Sequence, residues 1–198
     1  MKRLAVLISN AGTGTNLQSI IDAINSKEIS AKIETVISSD EDAYGLVRAK
    51  KYNIPTEIAS KKNLLEVLKK HNPDYICLAG WKLIILDEVI NAYKNKIINL
   101  HPGLIPDQIN GYFLNPDKTI GIWNRAKLTD VAIKNFLNNN ATYAGSSIYF
   151  LSHEFDFGKV LGRTFEKIKK GDTVESLYKR LKKKENKLYV EVLEKLCN

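Results

Sequence analysis

Apolar and polar residues alternate along the first hundred positions in blocks rather than singly. Residues 4–9 form a short, continuous apolar run ending in serine, the pattern of a strand buried on both faces. A stretch of small polar residues follows, and then Leu17, Ile20, Ile21 and Ile24 recur at the spacing of one helix face across 16–25. The same alternation predicts a strand at 32–38, a helix at 42–52 and a short strand at 56–59. A third helix at 62–71 carries Leu64, Leu65 and Leu68 and stops before Pro73. A strand at 74–79 ending at Gly80, a helix at 86–93 and a strand at 96–100 complete the series. Repeats of this kind predict a parallel α/β sheet with right-handed crossovers, which gather ligands along the edge where the strands end.

After His101 the pattern changes. Residues 102–125 are rich in Pro, Gly, Asn and Asp, with Tyr112, Phe113 and Trp123 among them. A loop of that length in a compact domain is either a functional lid or an insertion. A helix is predicted at 127–138, then two strands at 145–151 and 160–168 joined by a tight segment at 152–158. A final helix, capped by Asp172 or Thr173, runs through Leu196. The predicted fold is therefore α/β and Rossmann-like: a mostly parallel sheet with helices on both faces and a C-terminal antiparallel extension. One domain spanning 1–198 is expected.

Composition fits a folded chain in the cytoplasm. Of 198 residues, 44% are hydrophobic and 26% charged. No apolar run approaches the ~20 residues that span a bilayer, and the first run is too short and too soon interrupted for a signal peptide. Cys77 and Cys197 lack metal-ligand spacing and read as free thiols, so no metal is expected. The formal net charge of +8 admits nucleic acid as a partner, but equally a phosphorylated or polycarboxylate small molecule. Much of the excess lies in 167–187, interspersed with Asp172, Glu175 and Glu185, as on a solvated helix face.

Two segments carry chemistry. Ser9-Asn10-Ala11-Gly12-Thr13-Gly14-Thr15-Asn16 joins a strand to a helix through small residues, which allows backbone amides to approach an anion at the helix start. It lacks the Gly-Lys-Ser/Thr of a P-loop and the third glycine of a dinucleotide fingerprint. Phosphate binding and a merely tight turn both remain open for it. The second segment is Asn99-Leu100-His101-Pro102-Gly103-Leu104-Ile105-Pro106, at a predicted strand's C-terminal end. Strand alternation turns Asn99 and His101 to one side, and an imidazole beside a carboxamide makes a preorganised pair of donors for an oxyanion.

The second segment resembles the signature of the folate-dependent formyltransferases, and the likeness runs along most of the chain. Asp42-Ala43-Tyr44-Gly45-Leu46, with Arg48-Ala49 after it, is similar to the second-helix motif of the branch acting on glycinamide ribonucleotide. Leu78-Ala79-Gly80-Trp81 resembles that branch's Leu-Ala-Gly-Phe turn. Ala144-Gly145-Ser146-Ser147-Ile148-Tyr149-Phe150, then Phe155-Asp156-Phe157-Gly158, is similar to its Gly-x-Ser/Thr-Val-His-Phe and Leu-Asp-x-Gly. Gly171-Asp172-Thr173 and Glu185 match as well.

The resemblance implies formyl transfer from 10-formyltetrahydrofolate, a co-substrate, to the amine of a phosphorylated ribosyl acceptor in purine synthesis. A cationic or proton-sharing His101 would polarise the formyl oxygen, Asn99 would donate to the same oxygen, and Asp156 would orient His101 and assist proton removal. Without the resemblance, Asp156 reads equally as a turn residue before Gly158. Gly14, Thr15 and Asn16 would hold the phosphate, Glu185 the ribose hydroxyls, and Lys182 would reach toward the phosphate. Trp81, Lys82, Leu83, Ile84 and Ile85, with Asp156, would enclose the pterin. On this basis 1–101 is the phosphate-binding half and 102–198 the folate and catalytic half, with an insertion at about 106–142. That insertion departs from the family pattern, as do Lys82-Leu83 in place of Met-Arg and Tyr149 in place of a histidine. Two alternatives stand beside this: formyl transfer to another amine, such as an amino-sugar nucleotide, and a non-enzymatic nucleic-acid or ligand-binding module.

Overall fold

The computed structural model describes residues 1–10 and 13–198. They form two compact units, one of Met1–Asn99 with Tyr189–Asn198, the other of Leu100–Leu188. The fold is α/β and Rossmann-like, mostly parallel, with an antiparallel pair of strands toward the C-terminus.

The first unit is built around β1 (Lys2–Ile8), whose Leu4, Ala5, Val6 and Leu7 are fully buried, as an unbroken apolar run requires. Parallel to it on one side lies β2 (Ala31–Ser38), followed outward by β3 (Thr56–Ile58). On the other side lie β4 (Tyr75–Leu78) and β5 (Ile97–His101), giving the order β3-β2-β1-β4-β5. The connections are α1 (Thr15–Asn25), α2 (Tyr44–Lys51), α3 (Leu64–His71) and α4 (Asp87–Ala92). Because β2 and β3 step one way from β1 while β4 and β5 step the other, right-handed crossovers send α1 and α2 to one face and α3 and α4 to the opposite face. The order reverses between β1 and β4, the place where α/β sheets open a crevice at their strand ends.

Local sequence explains these elements. α1 buries Leu17, Ile20 and Ile21, the expected stripe, each contributing about 1.5–3 kcal/mol on transfer from water. α3 ends at Asn72, which adopts φ 43° and donates its N–H to the Leu68 carbonyl, so the chain turns away just before Pro73. The last residues of α6 (Val174–Cys197) also belong to this unit. The hydroxyl of fully buried Tyr189 reaches the carbonyl oxygens of Leu78 at 3.3 Å and Ile98 at 3.1 Å.

The second unit contains α5 (Thr129–Asn138), the antiparallel pair β6 (Tyr143–Phe150) and β7 (Val160–Lys167), and most of α6. Ile133, Phe136, Ala144, Leu177 and Leu181 form its core. The N-terminus of α6 is closed by a reciprocal pair: Ser176 N–H donates to Thr173 Oγ1, and Thr173 N–H to Ser176 Oγ. Thr173, rather than Asp172, is thus the capping residue. Asp172 instead pairs with Arg180, whose guanidinium holds its carboxyl far below the usual carboxylate range.

The long segment after His101 is fastened down. Arg163 on β7 donates to the Ile105 carbonyl from both Nε and Nη2, pairs with Asp107, and lies 3.9 Å from the centre of the Phe113 ring. Opposite Arg163 on β6, Ser147 donates to the Gly103 carbonyl and accepts from Ile105 N–H. Elements begin and end within two residues of their expected limits. The notable shift is β5, which continues through His101.

Candidate active site

His101, on the last residue of β5, is 3% exposed. Its Nε2 lies 2.7 Å from the Trp123 carbonyl oxygen, an atom that only accepts, so Nε2 carries a proton. Its Nδ1 faces Asp156 Oδ1 at 3.5 Å, longer than a charge-assisted N–H···O bond. Burial pushes the imidazole below its ordinary value of 6.5, outweighing Asp156 and the Trp123 carbonyl, which pull it upward. The resemblance implies a cationic or proton-sharing His101; burial works against the charged form and Asp156 works for it. With Nε2 donating to the Trp123 carbonyl, the ring turns Nδ1 toward the Asp156 carboxyl.

Asp156 is held from three directions. It lies in the turn between β6 and β7 at φ 48°, a left-handed conformation that Asp tolerates better than most residues. Its Oδ2 accepts Ala126 N–H at 2.9 Å, and its backbone carbonyl accepts the Trp123 indole N–H at 2.9 Å. Arg125 Nε donates to the neighbouring Phe155 carbonyl. The same short stretch thus grips His101 through a carbonyl and Asp156 through two N–H groups. The Trp123 carbonyl and the Ala126 N–H do not announce themselves in sequence, because backbone groups have no residue signature.

Gly103 makes this approach possible. A Cβ there would overlap the Trp123 carbonyl oxygen and stand 2.8 Å from His101 Nε2. We predict that Gly103→Ala destabilises the fold by about 1–3 kcal/mol and lowers turnover, because the obstacle is backbone and cannot rotate away. Thermal unfolding alongside kcat checks this; a variant matching the parent in both would show that the carbonyl is not needed where it stands.

Deeper in the second unit, Glu185 is 1% exposed. Its Oε1 accepts a 2.7 Å bond from Ser146 Oγ, while buried Oε2 has no hydrogen-bond partner. Lys182 Nζ stands 3.4 Å from Oε2 and also lies over the Tyr178 ring. Burial raises the Tyr178 phenol, and the Glu185 charge adds to the effect. The Ser146 contact spans 39 residues and is invisible to local spacing.

In the first unit, Gly14, Thr15 and Asn16 open α1, as expected. No side chain caps that helix and its first turn holds no acidic residue. Gly14 adopts φ 68°, and Asn16 is 5% exposed with Oδ1 unpartnered. Of the expected phosphate loop, Ala11 and Gly12 lie outside the described residues. Trp81, Lys82, Leu83, Ile84 and Ile85 follow β4, across the switch point from the loop after β1, and Lys82 N–H donates to Ser9 Oγ at 3.1 Å. The indole N–H of Trp81 is buried without a partner, Ile84 is exposed and Ile85 buried. Asn99 lies on β5, two residues before His101. The structure therefore brings together His101 with Asp156, Lys182 with Glu185, and the loops after β1 and β4. Among the described residues, no group of His, Cys, Asp and Glu could hold a metal ion, and no helix is long and apolar enough to cross a membrane.

Comparison with known proteins adds a second kind of finding. The family described as Formyl transferase matches residues 2–193. The phosphoribosylglycinamide formyltransferase of Dictyostelium discoideum is 34% identical, over 98% of this chain and 97% of that protein. The chloroplastic phosphoribosylglycinamide formyltransferase of Arabidopsis thaliana is 29% identical over 99% of this chain, which spans only 65% of that longer protein. Among solved structures, glycinamide ribonucleotide transformylase 1 from Geobacillus kaustophilus superposes with a TM-score of 0.81 at 29% identity, over the whole of both chains.

Proposed function

The chain belongs to the formyl transferase family, and we propose that it transfers the formyl group of 10-formyltetrahydrofolate to the amine of glycinamide ribonucleotide, in the cytoplasm, as a step of purine biosynthesis. The observation that carries this reading is the buried His101–Asp156 pair, in a chain matched over nearly its full length by proteins of that activity. Both compact units serve as one formyltransferase domain, since the family match runs through them. Transfer to an amino-sugar nucleotide is not favoured by these relatives.

The folate supplies the formyl group. Trp81, Lys82, Leu83, Ile84 and Ile85 fit its pterin chemically, combining apolar side chains with an unpartnered indole N–H that suits a flat ring with a polar edge. Asn99 donates its amide to the formyl oxygen as negative charge develops there. His101 Nδ1 takes the proton that the attacking amine must lose, and Asp156 stabilises the imidazolium so formed. His101 then returns that proton to the departing nitrogen. On the acceptor side, N–H groups at Gly14, Thr15 and Asn16 bind the phosphate, and Lys182 adds positive charge. Oε2 of Glu185 accepts from the ribose hydroxyls, whose donors suit a buried carboxylate oxygen that has an ion-pair partner in Lys182 but no hydrogen bond.

This assignment sets a sign for the pH dependence. The neutral ring is the working form, so kcat/KM is level above the folded pKa of His101 and falls roughly tenfold per pH unit below it. Because burial depresses that pKa, the break lies below 6.5. A rate that rises on acidification through this range would mean that the imidazolium is the working form.

The activity itself is tested by mixing purified protein with 10-formyltetrahydrofolate and glycinamide ribonucleotide and identifying products by mass spectrometry. Formylated ribonucleotide is expected. Its absence, or faster formylation of an amino-sugar nucleotide, would overturn the assignment.

A further inference from the structure

The second-helix motif, residues 42–49, has no role in the chemistry described above. In the structure its glycine and its arginine both meet the loop that opens α1. A Cβ on Gly45 would come 2.6 Å from Ile8 Cδ1, and a Cβ on Gly14 would stand 3.3 Å from Gly45 Cα. Two bare positions therefore let the first turn of α2 lie directly against the loop.

One turn further along, Arg48 reaches back over that contact, as a long side chain on a helix does. Its Nε donates to the Thr13 carbonyl at 2.8 Å, its Nη1 donates to Gln18 Oε1 at 2.7 Å, and its guanidinium lies over the Tyr44 ring. One planar group thus joins the loop to the first turns of α1. The Thr13 bond has a directional consequence. In a planar trans peptide the C=O of residue 13 and the N–H of Gly14 point opposite ways. Holding that carbonyl against Arg48 turns the Gly14 N–H away from α2. The helix that begins there has no side-chain cap, so its first N–H groups are left for a ligand.

We propose that Arg48 is a positioning residue for the acceptor's phosphate: by gripping the Thr13 carbonyl and Gln18 it presents the N–H groups of Gly14, Thr15 and Asn16 to the anion. This rests on the reading that the loop binds that phosphate. Arg48 acts through backbone geometry, so a planar fork matters more than a positive charge.

The test compares the full chain with Arg48→Gln and Arg48→Lys, using glycinamide ribonucleotide and its dephosphorylated riboside as acceptors. Arg48→Gln is expected to raise KM for the ribonucleotide roughly 10–50-fold, with kcat and the folate KM within about twofold. The preference for the phosphorylated acceptor falls by the same factor, and Arg48→Lys recovers only a minor part of it. Equal losses on both acceptors, or full rescue by lysine, would overturn the proposal. If Arg48→Gln does not fold, Gln18→Ala removes one of the two anchors, and a drop of about threefold in the same preference is expected; an unchanged preference would overturn it. A parent protein that shows no preference for the phosphorylated acceptor would instead overturn the phosphate reading of the loop, which separates the two failures.

Discussion

Replacing His101 with alanine is expected to lower kcat for formyl transfer by about three orders of magnitude, within the 10²–10⁴ that a positioned general base supplies. The imidazole Nδ1 is backed by a carboxylate 3.5 Å away. The other ring nitrogen is already committed to the Trp123 carbonyl, so the ring works through Nδ1 alone. The KM values for both substrates should stay within a few fold, because the loss falls on the transition state. The substitution also strands a part-buried carbonyl, which costs about 1 kcal/mol of stability. His101→Gln keeps a donor for Trp123 without a base, and separates that structural cost from the chemical one. It should recover stability but not rate. Loss of less than tenfold in both variants would remove His101 from the chemistry.

Glu185→Ala is expected to produce the largest change on the acceptor side, a rise in ribonucleotide KM on the order of 10²-fold, from losing charged hydrogen bonds worth about 1.5–3 kcal/mol. The carboxylate is buried, its Oε1 is satisfied by Ser146, and Oε2 is left over. The near cation Lys182, with Nζ at 3.4 Å, makes an ion pair rather than a well-aligned hydrogen bond, so Oε2 keeps accepting capacity for a ligand. Glu185→Gln, close in shape, tests the charge itself. The amide keeps one acceptor but presents donors where ribose hydroxyls also donate, so most of the KM rise should persist. An acceptor lacking both ribose hydroxyls should lose affinity for the parent protein and be insensitive to the substitution. Equal sensitivity of that acceptor would show that Glu185 acts only on the fold.

These expectations draw on what the chain discloses in its sequence and on what only the structure adds. The strand–helix alternation was legible because runs such as residues 4–9, and stripes such as Leu17, Ile20 and Ile21, are local. His101, Asp156 and Glu185 stood out as candidates through motif resemblance. The lowered basicity of His101 did not. Asp156 could be weighed in sequence, but the burial that outweighs it is a property of packing around the ring. The partners of these residues were hidden for a related reason. Trp123 acts through its carbonyl and indole, Ala126 through its N–H, and Ser146 over a long separation from Glu185. The segment after His101 read as an open loop because its composition is polar and glycine-rich. Ser147 and Arg163, side by side across β6 and β7, are what tie it down.

The central claim is that this chain moves a formyl group from a folate to an amine rather than to water. The most direct measurement supplies 10-formyltetrahydrofolate labelled with ¹³C in the formyl group, with and without glycinamide ribonucleotide, and follows the label by NMR. The account predicts that label enters the ribonucleotide's amide in step with release of tetrahydrofolate, and that little folate is released when the acceptor is omitted. Label appearing as free formate at the same rate with or without the acceptor would contradict it.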